Sequence, residues 1–71
     1  NALMLEVLER ALHAPFKTKS NFARENADLI AAAASDGYLT TRIAAGLYSR
    51  QWELTPVGLS YLYVLKGIHH D

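Results

Sequence analysis

Not one of the 71 residues is cysteine, and that absence constrains the fold more than any motif does. Chains this short commonly need a disulfide or a metal as a staple. Here neither a disulfide framework nor a thiolate zinc site can form. The core must be made from apolar side chains alone. A chain of this size buries only roughly 60% of the surface its unfolded form exposes, so nearly every apolar residue is needed inside. Hydrophobic residues are 51% of the chain, enough for one compact domain and too many for a disordered tail.

The same arithmetic narrows the function. No apolar run approaches the roughly 18 residues that cross a bilayer. No secretory signal is visible, so the expectation is a cytoplasmic protein with no membrane partner. Seven basic and seven acidic residues give a formal net charge of zero, which excludes a strongly basic nucleic-acid sleeve. Residues 1–2 are read as a cleavage scar or as part of a longer protein, and residues 69–71 as a tail that frays. Residues 3–68 are read as a single domain.

Hydrophobic spacing then divides the chain. Leu5, Leu8 and Leu12, with Met4, Val7 and Ala11 beside them, make one apolar stripe over residues 3–14, the pattern of an amphipathic helix. Pro15 ends it, because the residue before a proline is driven from the α region. Residues 16–19 read as a connector, one turn or a stub of extended chain that exposes Lys17 and Lys19. Ser20 is a good helix N-cap, and Phe22, Ala23, Ala27, Ile30 and Ala34 continue at helical spacing to a stop at Gly37. A single helix is the preferred reading, with a break at Asn26 and Ala27 as the competing one.

Residues 38–43 are rich in aromatic and β-branched side chains, and residues 47–54 alternate, with Ala44, Ala45 and Gly46 as a turn between them. This is a β-hairpin. Trp52 and Leu54 mark its inward face near the core, and both faces should be wet toward the tip. Thr55 and Pro56 open a last helix, threonine as the cap and proline at the first position, where no N–H is lost. Apolar residues surround much of that helix, more than one small core needs. The expectation is an α+β, mainly helical domain with the element order α-α-β-β-α.

Two stretches carry a resemblance. Gly37-Tyr38-Leu39-Thr40, the hairpin, and Trp52-Glu53-Leu54-Thr55-Pro56-Val57-Gly58-Leu59 resemble the end of a winged helix-turn-helix domain of the MarR and PadR type. The resemblance covers residues 37–59. It implies a compact winged-helix-like domain in which the hairpin is the wing, and a DNA-binding regulator, or the DNA-binding part of a larger protein, of bacterial or phage type. Double-stranded DNA and a second copy of the chain are the implied partners. The chain departs from that pattern in showing two helices before the wing where three are usual. Its Ala31 to Ala34 run also offers no donors for base edges, which major-groove reading requires.

The winged-helix resemblance implies which residues touch DNA, and the charge balance has the sign that requires. Between positions 17 and 50 five cations stand against three acids, +2, and the rest of the chain is −2. Lys17, Lys19, Ser20, Asn21 and Arg24 would gather at the start of the second helix, and Arg42, Tyr48, Arg50 and Gln51 on the wing. Phosphate contacts of this kind position a protein without reading sequence. The alternative is a protein-interaction or dimerisation module on the same fold, bound through Leu59, Tyr61, Tyr63 and Ile68. Tyrosine is enriched at such surfaces. Catalysis is not expected, because no histidine, serine or carboxylate lies in a motif with a base or nucleophile. No cofactor, metal or small-molecule substrate is expected either.

Overall fold

The computed structural model describes residues 3–68, except the side chain of Ile68. The expectations for residues 1–2 and 69–71 lie outside it. Along the chain run α1 (Met4–His13), β1 (Phe16–Lys17), α2 (Asn21–Glu25), α3 (Ala27–Ser35), β2 (Leu39–Ala44), β3 (Leu47–Leu54) and α4 (Pro56–Ile68). The described residues make a mixed α+β fold with four helices and one three-stranded antiparallel sheet in the order β1-β3-β2. Among the described residues no helix is long and apolar enough to cross a membrane.

Two corrections to the expected order have local causes. The connector after Pro15 is a true edge strand, since Phe16 faces Trp52 and Lys17 faces Gln51 on β3. Residues 21–35 are two helices, not one. Asn26 is the joint: its backbone N–H donates to the Phe22 carbonyl at 3.1 Å and its side-chain Nδ2 to the same oxygen at 2.9 Å. Its own carbonyl accepts from Ile30 N–H at 2.9 Å and so starts α3. Burying a polar side chain is tolerable only when it is hydrogen-bonded, and Asn26 is both buried and bonded.

The core is built around α1. Val7, Leu8 and Ala11 of α1 are buried with Phe16, Ala23, Ile30, Ala33, Leu39 and Leu62. Trp52 and Leu54 pack against this cluster from the base of the hairpin, as their alternation implies. Phe16 and Phe22 meet edge to face at 4.8 Å, and the Arg10 guanidinium lies 4.8 Å over the Phe22 ring. An exposed cation over a ring contributes about 0.5–1 kcal/mol.

The start of α4 is locked to the corner between α3 and β2. Thr55 Oγ1 accepts from Gly58 N–H at 2.9 Å, which is the helix cap, and donates toward the carbonyls of Gly37 at 2.6 Å and Tyr38 at 3.2 Å. Thr55 N–H also donates to Tyr38 O at 3.0 Å. Tyr38 stacks on Tyr61 of α4 with centroids 4.4 Å apart and planes 12° from parallel. Loss of hydration raises the Tyr38 phenol above its ordinary value, and the charges of Asp36 and Tyr61 add to the shift.

A basic cleft between two strands

The sheet brings together cations that the sequence holds more than thirty residues apart. Lys17 pairs with Gln51, and Thr18 N–H donates to the Arg50 carbonyl at 2.8 Å. The result is an open cleft of about 360 Å³ lined by Lys17, Thr18, Lys19, Ser49, Arg50 and Gln51. No carboxylate lines it. Lys17, Lys19 and Arg50 are exposed. Arg24 joins the rim from α2, its Nη2 donating to the Lys19 carbonyl at 2.9 Å.

Ser49 shapes the cleft. At the base of the hairpin Leu39 faces Leu54 and Thr40 faces Glu53; farther out Arg42 faces Tyr48 and Ala44 faces Leu47. Between the pairs at Thr40 and Arg42, β2 advances two residues while β3 retreats five (53 to 48), so β3 carries three extra residues there. Ser49 Oγ accepts from Gln51 N–H at 3.2 Å and shares its proton between the Thr41 and Gln51 carbonyls, each 3.1 Å away. A bulge of this kind bends a strand and re-aims its side chains. The bulge lies on the β2 side of β3, opposite the edge that pairs with β1.

The residues expected to bind DNA are thus placed unequally. Lys17, Lys19, Arg50 and Gln51 share the cleft, with Arg24 beside it. Ser20 is engaged within the chain: its hydroxyl caps α2 by accepting from Ala23 N–H at 3.2 Å and donates to Lys17 O at 2.7 Å. Asn21 is exposed as the first residue of α2. That helix is only five residues long, which offers a weak dipole to an anion. Arg42 and Tyr48 face each other farther along the hairpin, away from the cleft lining, and Arg42 Nε lies 3.4 Å from the Ala44 carbonyl. Thr18 and Ser49 belong to the site and were not anticipated. The signal for Thr18 was its place between two lysines in an extended stub.

The residues of the second expected set are also placed unequally. Leu59 and Tyr61 are half-buried and packed against the core, Tyr61 in its stack with Tyr38. Tyr63 is exposed as expected, and the Ile68 side chain lies outside the described residues. The outward face of α4 is instead Val57, Ser60, Tyr63, Val64 and Gly67, a surface without a charge. On the neighbouring side of α4, Lys66 pairs with Glu9 of α1 at 3.2 Å.

The outward side of α3 is Ala27, Asp28, Ala31, Ala32 and Ser35. It presents one carboxylate and no cation. Arg, Lys, Asn and Gln, the side chains that read guanine and adenine edges, are all missing from it.

The chain is 35% identical over 63 residues to the gene 5.7 protein of Enterobacteria phage T3, a match that covers 89% of this chain and 91% of that protein. It is also 35% identical over 63 residues to the fusion protein 5.5/5.7 of Escherichia phage T7, where the match covers 89% of this chain and 37% of that longer protein. No protein-family model matches the chain. No solved structure matches it significantly.

Proposed function

The chain belongs to the phage gene 5.7 protein family, and we propose that it is a winged-helix-like domain that binds double-stranded DNA through phosphate contacts, as a regulator or as the DNA-binding part of a larger protein. The observation that carries this reading is the cleft between β1 and β3. Lys17, Lys19 and Arg50 converge there with no acid in the lining, the arrangement a phosphate backbone requires. The winged-helix reading is supported by three helices before the hairpin, since the break at Asn26 supplies the helix that the sequence lacked. The outward side of α3, which carries no Arg, Lys, Asn or Gln, favours binding that positions on the backbone over reading of base edges.

The test is titration of the domain with a random-sequence duplex at low and moderate salt. Binding that weakens steeply with salt, and is lost in Lys17→Ala/Lys19→Ala/Arg50→Ala, supports the reading. No binding at low salt, where electrostatic contacts are least screened, removes it.

One observation favours a second reading, a dimerisation module. The α4 face of Val57, Ser60, Tyr63 and Val64 is uncharged, with Tyr63 62% exposed. Contiguous apolar surface of this kind marks contact sites, and a second copy is the simplest occupant. Sedimentation across a concentration range decides it: a dimer lost on Tyr63→Glu supports the reading, and a monomer throughout removes it.

A further inference from the structure

The tip of the hairpin is not built like the rest of the charged face. Ile43 is 68% exposed, Leu47 60% and Tyr48 66%. Between Ile43 and Leu47 stand only Ala44, Ala45 and Gly46, with Gly46 at φ +75° making the turn. Nothing bulky stands ahead of the apolar side chains. Three large apolar side chains are spent on this water-exposed tip.

The surroundings of the tip say which partner fits. Arg42 and Arg50 flank it, and from Gly37 to Trp52 the chain carries no Asp or Glu. Lys17 and Lys19 extend the same charge along the adjoining strand. An apolar tip on a cationic stem complements a partner that is anionic outside and apolar within. A DNA duplex is such a partner, with phosphates at the groove walls and stacked bases between them. The minor groove is roughly 6 Å wide and 7.5 Å deep. Apolar wedges that enter it part a base step and kink the duplex.

We propose that Ile43 and Leu47 form a wedge that partly unstacks a base step in the minor groove while Arg42 and Arg50 hold the flanking phosphates. The proposal rests on the phosphate-binding reading above and deepens it. Flexible pyrimidine–purine steps are the easiest to part, so the wedge settles at TA steps in preference to stiff A-tracts. Discrimination then comes from deformability, consistent with a chain whose α3 offers no Arg, Lys, Asn or Gln to base edges.

The experiment uses an A·T duplex carrying 2-aminopurine at several TA steps, titrated with the wild type and with Ile43→Ser/Leu47→Ser. Both positions are exposed and outside the core, and circular dichroism checks that the variant is folded. The expected result is a rise in 2-aminopurine fluorescence on binding of the wild type. The variant keeps the salt slope, loses affinity by about tenfold or less because its phosphate contacts remain, and gives no rise. Wild-type binding with flat fluorescence overturns the wedge and leaves the phosphate reading standing. A rise that persists in the variant overturns the assignment to Ile43 and Leu47. Absence of duplex binding at low salt overturns the phosphate reading and the wedge with it, as does binding to anionic lipid vesicles in place of the duplex.

Discussion

Gly58 and Tyr38 touch backbone to backbone. A Cβ added at Gly58 would overlap the Tyr38 carbonyl oxygen and would lie 2.8 Å from Leu54 Cδ1. The space is closed because Thr55, three residues earlier, draws the same carbonyl onto the start of α4. The Leu-Thr-x-x-Gly spacing is therefore one device: threonine forms the tie, and glycine leaves room for it.

Gly58→Ala is expected to destabilise the domain by about 1–3 kcal/mol, the usual cost of forcing extra atoms into a packed site. Urea unfolding measures it. Gly67→Ala is the control. A Cβ at Gly67 meets nothing within 4 Å, so the exchange should be neutral or stabilising by up to about 1 kcal/mol through helix propensity.

Thr55→Ala removes the cap and the link to residues 37 and 38, for an expected loss of about 1–2 kcal/mol. Thr55→Ser keeps the hydroxyl and should recover most of that loss. At roughly 4–8 °C per kcal/mol for a domain of this size, thermal denaturation separates the two variants.

Much of the fold was legible because its signals act through the local backbone. Pro15 ends α1, Gly37 at φ +80° ends the helical region, and Thr55-Pro56 opens α4. What escaped depends on contacts distant in sequence. A two-residue strand has no periodicity to detect, and β1 exists because Trp52 and Gln51 lie beside it. The break at Asn26 was masked by apolar spacing that runs unbroken through it from Phe22 to Ile30. In the site, Lys17, Lys19 and Arg50 stood out by charge. The Ser49 bulge did not, since a serine in an alternating strand looks like any outward residue. Ile43 and Leu47 carry no signal of a special role, because β-branched and aliphatic residues suit a strand wherever it lies.

The salt dependence of duplex binding should count the cleft. Each lost phosphate contact reduces the slope of log affinity against log salt by about 0.9. Lys17→Ala and Lys19→Ala are each expected to lower it by that amount, and the double variant by the sum. Filter or anisotropy titrations at several salt concentrations read this out. An unchanged slope in both would place the contacts elsewhere.

Alkaline pH should weaken the fold through Tyr38. Its phenol is raised by lost hydration, by Asp36 and by Tyr61, so the folded state favours the protonated form. That contribution is complete below the unfolded tyrosine value near 10 and is lost as pH rises from there through the folded value. Tyr38→Phe should flatten the fall in stability above about pH 10. Absorbance titration should show an alkaline-shifted phenol step vanish in the same variant.

The two walls of the basic cleft come from residues 17–19 and 49–51, joined only by the pairing of β1 with β3. An unfolded chain has no such cleft, and neither would an excised hairpin. Any polyanion held between those walls is thus a ligand of the native state alone, and mass action turns its binding into folding free energy. The melting temperature of the whole domain becomes a gauge of what the cleft holds. Inorganic phosphate, a short duplex and a single strand can be ranked by it.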